Sequence, residues 1–424
     1  MNVLVLNGSP SGENSITLYT VHYIAEQFPD CTFETLNVGQ QIRKLEQDKA
    51  SYLSRLEQAD LLLFTYPVYT FLVPSQLHRF IELMKASGLD LSGKWAAQIT
   101  TSKHFYDVTA HKFIEENCKD LGLKYIGGLS ADMEDLLTKK GRKEAYAFFH
   151  FVRWNMIKEG RRMPSHQEGS VVIVTDSDGL QESPLQNMIA AFRAVLPIET
   201  TVVDLHEFPF AGGCLGCFNC AADGTCIYKD GFDTYLREHI QSADAIVYAY
   251  TIRDHSMGHR FKVYDDRQFC NGHRTVTMGK PVGYLVEGAL EQEANLQMLM
   301  EARAQVGGNF LAGVANEPEE ILSLAETLAY AVRHHYTQPA NFYGVGGMKI
   351  FRDLIYQMQG LMREDHRFYK KHGFYDDYPQ KHKAKIAAMY LVGGMMRNKK
   401  LKKKIGGNMT QGMIMPYQNV IKKK

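Results

Sequence analysis

"VLVLNGSPSGENSIT", residues 3–17, runs from an apolar tetrad into a polar, glycine-containing turn and out into an amphipathic stretch. Val3 to Leu6 reads as a buried strand and Ile16 to Gln27 as a helix, so the turn joins the carboxyl end of a strand to the start of a helix. Gly8 allows a sharp turn and a close backbone approach to a ligand. Ser9, Ser15 and Thr17 offer hydroxyls, and the helix start adds free N–H groups and the positive end of a dipole. A phosphate monoester needs that combination; the plainer reading is a Ser/Gly turn that caps a helix. The Gly-Lys-Ser/Thr ending of a P-loop and a G-x-G-x-x-G run are both missing, which counts against nucleotide hydrolysis and a dinucleotide site.

The same alternation continues outward. Strands are expected at Thr32–Leu36, Leu61–Thr65, Trp95–Thr100 and Tyr125–Leu129, with helices at Ser51–Gln58, Gln76–Lys85 and Thr109–Leu121 between them. Such a run implies a parallel sheet with helices on both faces, in the flavodoxin-like doubly wound manner. After a polar stretch, Arg161 to Gly169, the pattern restarts at Val171–Val174. "SRLEQADLLLFTYPVYTFLVPSQLHRF" (54–80) aligns with "REHIQSADAIVYAYTIRDHSMGHRFKVY" (237–264), sharing Ala-Asp before an apolar strand. The expected architecture is two tandem α/β domains, 1–160 and 170–338, followed by a basic helical extension, 339–424.

At 424 residues the chain is long for one core and suggests two or three domains. A composition 45% hydrophobic and 22% charged is that of an ordinary soluble globular protein, and no apolar run approaches the ~20 residues that span a bilayer. The N-terminus has neither a basic n-region nor a cleavage site, so a cytoplasmic location is expected, where structural disulfides are rare. The net charge of +1 conceals an asymmetry: residues 341–424 hold 18 Lys and Arg against 5 Asp and Glu, a net of +13, which leaves −12 on the rest.

Two further loops leave the same edge of the first sheet. "TYPVYTFLVPSQLHRFIE" (65–82) brings Tyr66, Pro67, Val68, Tyr69 and Phe71, whose rings can stack on a flat heterocycle; a core-facing aromatic turn is the alternative. Thr100 to His104 ends the fourth strand with hydroxyls. Together, "NGSPSGENSIT", "TYPVY…VPSQLHRF" and "ITTSKH" resemble the NAD(P)H-dependent FMN reductase and quinone reductase branch of the flavodoxin-like fold, over residues 1 to about 135. The resemblance implies FMN, with Ser9, Pro10, Ser15, Ile16 and Thr17 at its phosphate. Pro67, Val68, Tyr69 and Thr70 would frame the ring from one side, and Thr101 and Ser102 from another. Ile16 replaces a frequent Asn, and Ser102-Lys103 replace frequent glycines.

In the second half the corresponding loop, "VTDSDGLQESPLQ" (174–186), puts Asp176 at Gly8, Asp178 at Pro10 and Glu182 at Asn14. Three carboxylates would face a dianion, each like-charge pair costing about 4 kcal/mol at 4 Å and an effective dielectric near 20. This half therefore reads as flavodoxin-like but without flavin. It carries instead "CLGCFNCAADGTC" (214–226), where Cys214, Cys217, Cys220 and Cys226 follow C-x2-C-x2-C-x5-C. The spacing approaches that of a ferredoxin 4Fe–4S loop; zinc, which prefers paired C-x2-C knuckles, and unligated thiols are the rivals. With the following "ADAIV", the stretch also resembles the iron–sulfur flavoproteins, which implies a 4Fe–4S cluster working with FMN.

The expected function is a flavin-dependent oxidoreductase passing electrons from NAD(P)H through FMN, and through the cluster, to a quinone, flavin or similar small acceptor; a flavodoxin- or ferredoxin-like carrier between proteins is the alternative. His104, next to the third loop, is a candidate proton donor. The tail offers an eleven-residue apolar run flanked by lysines, fit either to lie on an anionic membrane surface or to pack on the acidic body, the charge contrast favouring the second. No motif for nucleic-acid recognition accompanies its charge.

Overall fold

The computed structural model describes every residue except 158–163, 178–182, 377, 379–381, 397–410 and 422–424. The chain forms two compact units, Met1–Arg161 with Tyr378–Lys424, and Arg162–Asp377. The extension expected as one piece over 339–424 is thus divided between them.

In the first unit β1 (Asn2–Asn7), β2 (Thr32–Leu36), β3 (Leu61–Pro67), β4 (Trp95–Ser102) and β5 (Lys124–Asp132) make a wholly parallel sheet in the order β2-β1-β3-β4-β5. Along β1, Val3 and Val5 face one core and Leu4 and Leu6 the other, so the strand reads as one unbroken apolar run. The first core is closed by α1 (Ile16–Gln27) and α6 (Lys139–Met156). The second is closed by α2 (Val38–Gln47), α3 (Ala50–Gln58), α4 (Ser75–Ser87) and α5 (Asp107–Asp120). The alternation above omitted α2, which buries only Val38, Gly39 and Leu45.

In the second unit β6 (Ser170–Thr175), β7 (Glu199–Asp204), β8 (Ala245–Thr251), β9 (Pro281–Glu287) and β10 (Phe310–Ala315) are ordered β10-β9-β8-β6-β7, the same topology read from the other edge. The shared Ala-Asp has a physical role in both units. Asp60 Oδ2 accepts from the backbone N–H of Asn2 at 2.7 Å, and Asp244 Oδ2 from that of Ser170 at 2.8 Å, so each aspartate pins the start of the first strand to the start of the third. A lysine repeats the pattern: Lys94, just before β4, donates to the carbonyls of Glu57 and Ala59, and Lys280, just before β9, to those of Gln241 and Ala243. Both lysines satisfy carbonyls left free where the preceding helix ends.

Helices Phe342–Gln357 and Arg363–Lys371 belong to the second unit. In the first unit, the helix over 411–421 buries Ile414 and Tyr417, whereas residues 382–391, which open the helix Lys383–Met396, are all exposed. The expectation that the apolar run packs on the body fails there. Among the described residues no helix is long and apolar enough to cross a membrane.

Candidate functional site

The carboxyl ends of β1, β3 and β4 open on one cavity of about 360 Å³ in the first unit. They flank the point where the strand order reverses, the usual ligand crevice of such sheets. Ser9, Ser15, Ile16 and Thr17 line it from the first loop, Pro67, Val68, Tyr69 and Thr70 from the second, and Thr101 and Ser102 from the third. Of the anticipated residues Pro10 is not on the wall; Ser11 and Asn14 are.

The first loop is held open toward the cavity. Asn7, fully buried, donates from Nδ2 to the carbonyl of Gly12 (3.0 Å) and to Asn37 Oδ1 (2.8 Å), and accepts from the N–H of Ser9 (3.2 Å). Ser15 is the N-cap of α1, yet its hydroxyl makes no capping bond, and the first turn of α1 contains no acidic side chain. The helix therefore presents uncapped N–H groups and a spare hydroxyl to the cavity. Thr17 Oγ1 and Thr101 Oγ1 are 2.6 Å apart, tying the first loop to β4. Gly8 serves packing and not the turn itself: a Cβ there would lie 2.6 Å from Leu77 Cδ2 on α4.

The second loop carries strain. Thr70 and Phe71 have φ of 47° and 72°, closed by reciprocal backbone bonds between Tyr69 and Leu72 at 2.8 and 3.1 Å. Left-handed non-glycine residues cost about 1–3 kcal/mol each. Thr109 Oγ1 donates to the Phe71 carbonyl, and the Phe71 ring packs on Phe105 and Tyr106 at centroid distances of 5.3 and 4.9 Å. The exposed rings of Tyr69, Phe71 and Phe105 form an aromatic rim, with Phe71 and Phe105 tilted 41° to each other.

His104 does not reach the cavity. Its φ of 61° turns the ring into the interior, where Nδ1 lies 3.0 Å from Asp107 Oδ2, itself bonded to Ser130 Oγ. Its role there is to satisfy a buried carboxylate, which removes it as a candidate proton donor. The wall residues missed include Met413 and Ile414, from the helix over 411–421. That helix is fixed by Tyr417, whose hydroxyl donates to the Met133 carbonyl (2.8 Å), and by Gln418 Nε2, 3.1 Å from the Tyr19 hydroxyl. No local pattern marks a residue almost three hundred positions from its partner.

The second unit keeps the backbone of this site without its equipment. Asp254 and His255 repeat the left-handed pair (φ 50° and 61°), closed by reciprocal bonds of 2.9 Å between Arg253 and Ser256. But Ser183, the N-cap of α7 (Pro184–Val195), does cap its helix, accepting from the N–H of Gln186, and Pro184 removes a donor. Asp176 is buried at the position of Gly8; burial pushes its carboxyl up to about 6, the opposing pull of Arg253 and His206 being weaker. Asp178 and Glu182 lie outside the described residues. Because the folded-state value exceeds the unfolded one, Asp176 penalises stability above pH ~6, and the penalty disappears as the pH falls through ~4. Asp176→Asn is therefore expected to raise the stability of this unit by about 1–3 kcal/mol at pH 8 and to leave it unchanged at pH 3.5, as read by thermal unfolding.

A second cavity, also about 360 Å³, is lined by all four of Cys214, Cys217, Cys220 and Cys226, and by Cys270. Gly216 and Phe218 (φ 63° and 60°) fold the loop inward. The backbone N–H of Gly216 approaches Cys214 Sγ at 3.5 Å, and Arg267 Nη2 approaches Cys226 Sγ at 3.9 Å. Burial raises the Cys220 thiol, and pushes that of Cys270 up to about 12. Met362 and Asp365, from the first part of the extension, complete the wall. The four thiols share one cavity; among the described residues, no three His, Cys, Asp or Glu side chains are grouped so as to hold a metal ion.

Residues 1–111 match the sequence model of a family described as NADPH-dependent FMN reductase. No curated protein matches the chain. Among solved structures, RosB with a bound riboflavin-phosphate intermediate is 15% identical, with 31% of this chain and 65% of that one covered at a TM-score of 0.28. An FMN-dependent NADH-azoreductase from Bacillus anthracis with FMN is 14% identical (36% and 98% covered, TM-score 0.29). An NADPH-quinone reductase from P. pentosaceus is 14% identical (39% and 100% covered, TM-score 0.28).

Proposed function

We propose that the first unit binds FMN and acts as a reductase that draws on NAD(P)H and delivers to a quinone, a flavin or a similar flat acceptor. The observation that carries this reading is the convergence of three strand-end loops on one cavity, with uncapped helix N–H groups and hydroxyls at one end and an aromatic rim at the other. The match of residues 1–111 to the FMN reductase family supports it. Bound FMN would supply two-electron chemistry, so that NAD(P)H is oxidised and the acceptor takes up two electrons and two protons, one proton coming with the hydride and one from solvent.

The chain's own residues do the positioning. Ser9, Ser15 and Thr17 donate hydrogen bonds to a phosphate, assisted by the α1 N-terminus; Lys103 on the cavity wall is paired with Asp132 at 2.6 Å. Pro67 to Thr70 and Thr101 to Ser102 border the ring, and Met413 and Ile414 exclude water with apolar surface. In the second unit Cys214, Cys217, Cys220 and Cys226 would hold a 4Fe–4S cluster, which supplies one-electron capacity. The shared strand order and the paired Asp and Lys anchors support reading the chain as a tandem in which one half kept the flavin site and the other the cysteines.

Protein purified without oxygen is expected to show flavin absorption, a dithionite-dependent EPR signal and NAD(P)H consumption with menadione and no protein partner. Turnover only with a protein acceptor would favour the carrier. Protein that stays colourless after FMN addition would sink the flavin reading, and intact FMN without an EPR signal would sink the cluster.

A further inference from the structure

We infer that the helix over 411–421 is a clasp that retains the flavin, so that cofactor binding and docking of this helix stabilise one another. The inference rests on the FMN reading of the first unit. Left to itself, the segment is a poor helix. Pro416 lacks the N–H that would bond the Gly412 carbonyl, Gly412 is itself a weak helix former, and a helix this short is marginal in water. Docking therefore keeps it helical, and the docked surface is small. Among residues 411–421 only Ile414 and Tyr417 are buried, whereas Met413 and Met415 are 49% and 58% exposed. Tyr417 and Gln418 tie the second half of the helix to the Met133 carbonyl and the Tyr19 hydroxyl, and the Tyr417 ring stands 6.4 Å from that of Tyr19.

The first half of the helix meets the cavity instead. Met413 and Ile414 stand on its wall beside Met133 and the residues of the first and third loops. A ligand in this cavity is covered by these two side chains and covers them in turn. Apolar area leaves water on both sides of the contact, and a thioether against an aromatic ring adds to the attraction. The half-exposed Met413 has the most to gain. A bound flavin thus shifts the helix toward its docked state, because it meets Met413 and Ile414 in that state alone. By linkage the docked helix tightens flavin binding by the same factor. A wall that served structure alone would be equally well ordered with and without the flavin.

Amide hydrogen exchange of the full chain, followed over residues 411–421, reads the coupling without any substitution. Saturating FMN is expected to slow exchange there by roughly 5–150-fold, the usual span of coupling between two sites. Tyr417→Phe removes the bond to Met133 but lies off the cavity wall, and is expected to weaken FMN binding by about fivefold. Ile414→Ala, which loses both docking and cavity contact, is expected to weaken it by at least about tenfold. Titration with FMN, read by quenching of its fluorescence, measures both variants. Exchange over 411–421 that FMN leaves unchanged overturns the clasp, as does parental affinity in both variants. A parent chain that does not quench FMN fluorescence at all overturns the FMN reading itself, and the clasp with it.

Discussion

Ser15→Asp is expected to weaken FMN binding by about three orders of magnitude while leaving the fold intact or slightly more stable. Ser15 sits at the N-cap of α1 with extended backbone, and its hydroxyl is not engaged in capping. Aspartate is among the best N-cap residues and complements the helix dipole, so the substitution costs the helix nothing. It places a carboxylate where the phosphate is proposed to sit. A like-charge pair at ~4 Å in an effective dielectric near 20 costs about 4 kcal/mol, or close to three decades of affinity. Ser15→Asn keeps the capping ability without the charge and should lose less than about tenfold. Titration with FMN, followed by quenching of its fluorescence, reads both. An aspartate variant that binds FMN as tightly as its parent would falsify the placement of the phosphate.

Arg267→Met is expected to cost the second unit about 3–5 kcal/mol and to dismantle the cysteine cavity. Arg267 is 1% exposed and meets Asp230 with both Nη atoms, at 2.7 and 2.8 Å. Nη1 also donates to the Gly212 carbonyl at 3.0 Å, and the guanidinium lies over the Tyr228 ring, 4.5 Å from its centroid. Gly212 precedes the first of the four loop cysteines and Asp230 follows the last, so one side chain staples both ends of the loop. The methionine has similar volume but abandons a buried carboxylate, and lysine would restore the charge without the fork. Arg267→Met/Asp230→Leu, which removes both charges, should recover a large part of the loss. Arg267 also holds the Asp230 carboxyl down at about 2. The pair's contribution is therefore complete above pH ~4 and lost as the pH falls toward ~2. Urea unfolding of the second unit, monitored across that range, checks both size and sign; a single variant as stable as the parent removes the staple.

The parallel sheets were legible because strands buried on both faces appear as unbroken apolar runs, as in Val3–Leu6 and Leu61–Thr65. The cavity loops were legible for a related reason: each follows such a run directly, and the fold brings strand ends together. What escaped depends on groups distant in sequence or on backbone direction. Asn7 looks like an ordinary strand end, and nothing local announces its bonds to Gly12 and Asn37. Pro10 and His104 neighbour wall residues, yet the chain turns both away from the cavity. The helix α2 hides behind Gln40, Gln41, Arg43 and Lys44, a surface composition over three buried positions.

Met413 and Ile414 give the first unit a schedule in biosynthesis. Its five strands are complete once Asp132 has emerged, but the last wall of its cavity is encoded beyond the whole second unit. A ribosome adding ~5–20 residues per second needs on the order of 15–60 s to cover that interval. During it the nascent sheet can fold, and can take up a cofactor, with the cavity open on one side. The enclosure that excludes water thus forms only after the second unit has been made.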